Sequence, residues 1–158
     1  MQEAPFVLRQ DQDGIAFLTL NRPQSRNALS QGMIDALRSE FHEVEGNDEI
    51  RVVVLAGAGP AFCAGHDLKE MREASYAHDY TEKLFADCAD LMKSIVSLSK
   101  PVIARVHGIA TAAGAQLVAS ADLAIAASDA RFATPGVNIG LFCSTPMVAL
   151  SRNLSNKH

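Results

Sequence analysis

The sequence predicts an α/β fold, one domain over residues 1–158 in which strands and helices alternate, and three observations predict it. Val52–Ala56 is a continuously apolar run and Val102–Val106 a largely apolar one interrupted by Arg105, the pattern of strands buried in a sheet. Two longer segments repeat apolar residues at helical spacing, and no repeat, low-complexity tract or linker divides the chain. With 158 residues, of which 48% are hydrophobic and 20% charged, the chain is large enough to bury a core.

Taken in order, Phe6–Leu8 and Ile15–Leu20 are β-prone, and Asp11-Gln12-Asp13-Gly14 between them supplies the Asp-Gly step that a hairpin turn needs. From Ser30, a good N-cap, Ile34, Leu37, Phe41 and Val44 fall on one helical face until Gly46-Asn47-Asp48 stops the helix. After the strand at Val52–Ala56, a second helix places Leu84, Cys88, Leu91, Met92 and Ile95 on one face and ends before Lys100-Pro101. The strand Val102–Val106 leads into a run of small residues that opens a helix from about Ala113. Asp122–Ala126 follows, and Thr145-Pro146 reads as the cap and first position of a last helix.

Composition narrows the function classes. A net charge of −4 with no basic stripe argues against nucleic acid as a partner. Cys63, Cys88 and Cys143 are odd in number and widely spaced, with no C-x-x-C pair, so neither a disulfide framework nor a metal site is expected; a reducing compartment fits. No apolar run approaches a membrane span, and Met1–Pro5 has neither a basic start nor an apolar core, so no membrane partner is expected. The placement is cytoplasmic, or the mitochondrial matrix if a targeting segment has been removed.

The stretch Val106–Leu117 carries the most chemistry. Its tiny side chains let a ligand approach the backbone, and the first N–H groups of a helix lack internal acceptors, so the layout suits an oxyanion. Alone, the same residues equally describe a helix packed closely on a sheet. Phosphate loops are excluded: Phe62 stands where Gly57-Ala58-Gly59 would need a third glycine, and Gly65 precedes His66-Asp67 rather than Lys-Ser. No G-x-S-x-G elbow exists.

A second stretch, Ala61–Glu70, also leaves an apolar strand through glycines into a turn. Together with Asn21-Arg22-Pro23, Asn27-Ala28-Leu29 and the tail from Ser128 to Pro146, it resembles the enoyl-CoA hydratase/isomerase, or crotonase, family. The resemblance spans nearly the whole chain. It implies a crotonase-like (ClpP/crotonase) spiral of repeated ββα turns and an acyl-CoA thioester as ligand, with coenzyme A part of the substrate and no separate cofactor. It also implies that the family's C-terminal helical part is missing from this chain, and that the full-length protein is a homotrimer or a dimer of trimers. The peptide N–H groups of His66 and Ala113 would form the oxyanion hole, alanine standing where a glycine is usual. Ala64, Asp67, Leu68 and Lys69 would follow the CoA, with Ala28 and Arg26 flanking its nucleotide end and Arg26 meeting a phosphate; Asp67 and Lys69 read equally well as a solvated turn.

The departures are informative. The two glutamates with which the family's hydratases activate water and protonate the α-carbon fall on Gln116 and Gly136, and neither residue can move a proton. Losing two acid–base groups, each contributing about 10²–10⁴ in rate, predicts weak hydration. Possible replacements are His66, His107, Asp79, Asp87, Cys63 and Cys143, each more simply explained as a structural residue. An acyl-CoA-binding family member is the first expectation; a non-catalytic acyl-CoA-binding or regulatory protein and a CoA-thioester hydrolase stay open beside it.

Overall fold

The computed structural model describes residues 4–155. The chain opens with a hairpin, β1 (Val7–Gln12) and β2 (Ile15–Leu20), turned by Asp13 and Gly14, both at positive φ. Asp11 and Gln12, expected in the connection, belong to β1: Gln12 pairs with Ile15, so the turn is a two-residue one. Helix α1 (Gln31–Glu45) starts where expected, with the Ser30 hydroxyl accepting from the Met33 N–H.

Then come β3 (Val52–Gly57), α2 (Leu68–Glu73), α3 (His78–Ser97), β4 (Val102–Val106), β5 (Ile109–Thr111), α4 (Ala113–Ser120), β6 (Leu123–Ala126), β7 (Arg131–Ala133) and α5 (Ser144–Asn153). The cap of helix α5 is Cys143, two residues before the one expected at Thr145, whose hydroxyl is engaged elsewhere; Pro146 lies in the first turn, where a missing N–H costs nothing.

A five-stranded sheet runs β1-β2-β3-β4-β6, antiparallel at β1-β2 and parallel beyond it, while β5 and β7 form a separate parallel pair. Helices α1 and α3 cover one face of the large sheet. Leu18, Leu20, Val53, Leu55, Val102 and Ala104 meet Leu37, Phe41, Leu84, Leu91 and Ile95 there in one continuous core. The opposite face, expected to be buried as well, is partly open. Val52, Val54 and Ile103 are half-buried, Arg105 is exposed, and Leu123 and Ile125 of β6 are 61% and 64% exposed. A run of apolar residues shows that a strand lies deep in a sheet, but not whether this stretch of chain covers both of its faces.

Candidate active site

Two loops that leave the large sheet are clamped side by side. The Cys63 N–H donates to the Ile109 carbonyl at 3.1 Å and the Thr111 N–H to the Cys63 carbonyl at 3.0 Å, which extends the β5-β7 pair by one more chain. One step further, the Leu29 N–H donates to Gly65 O at 2.8 Å and the Asp67 N–H to Leu29 O at 3.0 Å, holding His66 alongside Leu29. At the point of closest approach both chains need small residues. Gly65 has φ +90°, and a Cβ on it would lie 3.0 Å from Ala112 Cβ and from Thr111 O. A Cβ on Gly114 would lie 2.2 Å from the Cys63 carbonyl oxygen.

Ala112 makes the corner from β5 into α4 at φ 50°, ψ −121°, a conformation that strains an L-residue, while its N–H is taken by Ala133 O at 2.8 Å. Ala113 is therefore the first helical residue, and its N–H has no acceptor within the helix. The His66 N–H has none either: among the described residues, neither amide meets a hydrogen-bond partner. The first-turn backbone thus presents donors beside a second free donor from the other loop, as an oxyanion site requires.

Both residues line a cavity of about 260 Å³ together with Phe85, Cys88, Ala89, Ala112, Gln116 and residues 141–146. Among the described residues, no carboxylate and no Lys or Arg lines it. The His66 ring stands edge-on to Phe85, with centroids 5.1 Å apart and planes at 72°, and its Nδ1 is buried without a partner. Burial lowers its pKa to about 4, opposed by the Leu29 carbonyl, so the imidazole is neutral near pH 7. Burial likewise raises the thiols of Cys88 and Cys63 to about 12, which keeps both protonated. Gln116 is 7% exposed, and its Oε1 accepts from the Thr145 hydroxyl at 3.1 Å. A larger open groove of about 570 Å³, lined by Asp35, Arg38, His42, Asp90 and others between α1 and α3, contains none of the motif residues.

The other residues singled out in the sequence have varied places. Asp67 is buried and committed to structure: it caps α2 by accepting from the Lys69 and Glu70 N–H groups and pairs with Arg22 at 3.0 Å. Those N–H groups and the Arg22 guanidinium outweigh the largest single influence, its burial, so its pKa is lowered. Leu68 and Lys69 are exposed on α2. Arg26 is exposed, Ala28 is buried, and the Ala64 N–H donates to Arg26 O at 3.0 Å, which sets the Arg26–Ala28 and Ala64–Lys69 segments side by side.

Of the two glutamate positions, Gln116 lines the cavity, whereas Gly136 sits behind its wall, where a Cβ would come 2.6 Å from Leu141 O and 2.8 Å from Cys143 Sγ. Among the suggested replacements, His66 and Cys143 line the cavity. Asp79 is exposed outside it, Asp87 is held by Arg38, Lys83 and Gln31, His107 Nε2 contacts Gly59 O at 2.7 Å, and Cys63 is buried outside the lining. Sequence reasoning missed three contributors. Phe85 and Phe142 line the cavity from positions with no periodic signal. Asn27, read only as part of a motif, is fully buried and pins the loops, its amide reaching Ala58 O and Ala61 O at 2.9 and 2.8 Å and its Oδ1 accepting from the Arg22 N–H. Among the described residues, no group of three or more His, Cys, Asp or Glu side chains could hold a metal ion, and no helix is long and apolar enough to cross a membrane.

The family model of enoyl-CoA hydratase/isomerase matches residues 10–157. The chain belongs to that family. Across most of its length the chain is similar to enoyl-CoA hydratase domain-containing protein 3. The mitochondrial protein of that name from Xenopus laevis is 48% identical over 157 residues, covering 99% of this chain and 53% of the relative. Its human counterpart is 48% identical over 146 residues, covering 92% and 48%. A solved enoyl-CoA hydratase from Mycobacterium smegmatis is 59% identical with a TM-score of 0.93, over 98% of this chain and 60% of that one. The solved human domain-containing protein 3 is 45% identical with a TM-score of 0.89, over 94% and 58%. The fold is therefore crotonase-like, and the chain spans about half the length of the curated relatives it matches.

Proposed function

We propose that this family member binds an acyl-CoA thioester, with the N–H groups of His66 and Ala113 holding the thioester oxygen. The observation that carries the reading is the pair of unpartnered peptide donors opening on one cavity. Donors of this kind, fixed before the ligand arrives, are worth about 2.7–4 kcal/mol each where charge develops on the oxygen. Exposed Arg26 and Lys69 supply positive charge for the CoA phosphates at the edge of the two clamped loops. Coenzyme A arrives as part of the ligand, so the reading calls for no cofactor of its own.

The absence of a carboxylate from the cavity lining supports thioester polarisation without efficient hydration, and it favours a non-catalytic acyl-CoA-binding role as the second reading. The three thiols, free in the structure, accord with a reducing compartment, the cytoplasm or the mitochondrial matrix. The full-length protein, on this reading, is a trimer or a dimer of trimers. Calorimetry decides the central claim: butyryl-CoA is expected to bind at least several-fold more tightly than free CoA, and equal affinities refute the oxyanion assignment. Turnover of a CoA-thioester panel by full-length protein then separates the classes. Release of free thiol marks a hydrolase, addition of water to a 2-enoyl thioester a hydratase, and binding without turnover a carrier or regulator.

A further inference from the structure

The thiol of Cys143 and the missing side chain at position 136 are two halves of one arrangement. A Cβ on Gly136 would lie 2.8 Å from Cys143 Sγ, so the sulfur occupies space that any side chain at 136 would claim. Cys143 is 9% exposed and lines the same cavity as His66 and Ala113, whose peptide N–H groups have no partner among the described residues. It is also the cap residue of the ten-residue helix α5, and its side chain makes no capping hydrogen bond. The N–H groups at that end of a helix carry partial positive charge, which stabilises negative charge developing close by.

Other atoms of the lining await a ligand. Gln116 is 7% exposed; its Oε1 accepts from the Thr145 hydroxyl, while its Nε2 has no partner among the described residues. The His66 imidazole leaves Nδ1 buried without one. Buried polar groups are normally satisfied, so the cavity is built for polar atoms that a ligand brings. It is poorly equipped to activate water: among the described residues no carboxylate lines it, and His66, its pKa lowered to about 4 by burial, is a weak base. A thiol acts without such activation, because sulfur is intrinsically very nucleophilic. Cys88, the other lining thiol, lies inside α3 rather than at a helix end, and burial raises its pKa to about 12.

We infer that Cys143 is a nucleophile that takes the acyl group from the bound thioester and becomes an S-acyl cysteine. The inference rests on the thioester reading above and adds a group-transfer step to that site. The sulfur attacks the thioester carbon while the two amides hold its oxygen. A carbon–sulfur bond to Cys143 forms, the carbon–sulfur bond to CoA breaks with its electron pair, and the proton lost by the Cys143 thiol ends on the CoA sulfur. One thioester replaces another, so nothing is oxidised or reduced and no further reactant is consumed. The acyl group then stays on the protein until free CoA removes it by the reverse exchange.

Incubation of the full-length protein with butyryl-CoA, followed by intact-mass measurement and chromatography of free CoA, tests it. One butyryl group per chain is expected, with an equal amount of CoA released, and peptide mapping should place the group on Cys143. Added CoA should reverse the modification. Acylation of Cys143 in the folded protein should be at least about tenfold faster than in the urea-unfolded chain, because only the folded protein holds the thioester oxygen at two amides. Cys143→Ser should abolish the adduct; should that variant fail to fold, the mapping and the folded-to-unfolded rate ratio of the wild type decide the matter. An adduct on Cys63 or Cys88 in place of Cys143, one that survives Cys143→Ser, or equal rates in the folded and unfolded chains overturn the inference. Butyryl-CoA binding more tightly than CoA by calorimetry with no adduct formed overturns it too, and leaves the thioester reading standing. Butyryl-CoA binding no better than CoA overturns the thioester reading itself, a distinguishable failure.

Discussion

Replacing His66 with phenylalanine keeps a ring against Phe85 and removes a titrating group whose burial has a calculable effect on stability. In the folded chain the imidazole has a pKa of about 4, because burial disfavours the imidazolium. In an unfolded chain a histidine titrates near ~6.5. Between those values a proton binds the unfolded chain in preference to the folded one. The stability associated with a neutral His66 is therefore complete above ~6.5, falls as the pH drops, and is fully lost below ~4. From pH ~7.5 to ~5 the unfolded chain is nearly alone in titrating at this residue, so the loss amounts to about 2 kcal/mol at about 1.4 kcal/mol per tenfold change in proton concentration. Urea unfolding of wild type and His66→Phe at the two pH values measures it. The wild type should lose about 2 kcal/mol more than the variant. Asp67, whose lowered pKa also costs stability on acidification, is present in both chains and cancels. Equal losses in the two proteins would show that the imidazole is solvated and that the closed packing around it is wrong.

Placing a glutamate at position 136 should fail structurally. Gly136→Glu drives a Cβ against the Leu141 carbonyl and the Cys143 sulfur, so a urea midpoint lower by at least about 1–3 kcal/mol is expected, with no gain in hydration of a 2-enoyl thioester; an unchanged midpoint would contradict the crowding. Ala112→Gly relieves a strained corner at φ 50° and should stabilise the fold by up to about 1 kcal/mol, read as a rise in thermal midpoint; a clear fall would mean that the corner is unstrained. The 158-residue polypeptide should self-associate through its exposed apolar side chains, among them Phe142 at 69% and the β6 residues Leu123 and Ile125. Sedimentation should show larger species that Ile125→Lys diminishes, and a monodisperse wild-type monomer would refute this.

Elements set by local chemistry were legible in the sequence: the Asp13-Gly14 turn, the Ser30 cap, and the apolar faces of α1 and α3. Helix α2 was not read, because its signal is a single Asp67 whose capping role is indistinguishable in sequence from a polar turn. The Ala112 corner was invisible, since alanine carries no mark of a left-handed φ. The openness of one sheet face depends on what covers it, which no strand encodes. In the site, the two loops carrying His66 and Ala113 were legible through their small residues and the family motif. The alignment of Gln116 by Thr145 was not, because it joins residues 29 positions apart through one hydrogen bond. Phe85 enters from the flank of a helix whose core-facing stripe drew the attention.

The clamp between the two loops has a consequence for how the site comes into being. Leu29 pairs with His66 and Cys63 with Ala110, contacts that close long stretches of chain, so no local segment contains even a rudimentary version of the donor pair. Long-range pairings of this kind form late, after the loop-closure entropy has been overcome. The site should therefore appear and vanish with the fold as a whole, without a partly formed binding-competent state. A ligand seated there braces segments drawn from most of the chain at once, and its binding free energy should register as resistance to global unfolding rather than as a stiffening of one loop.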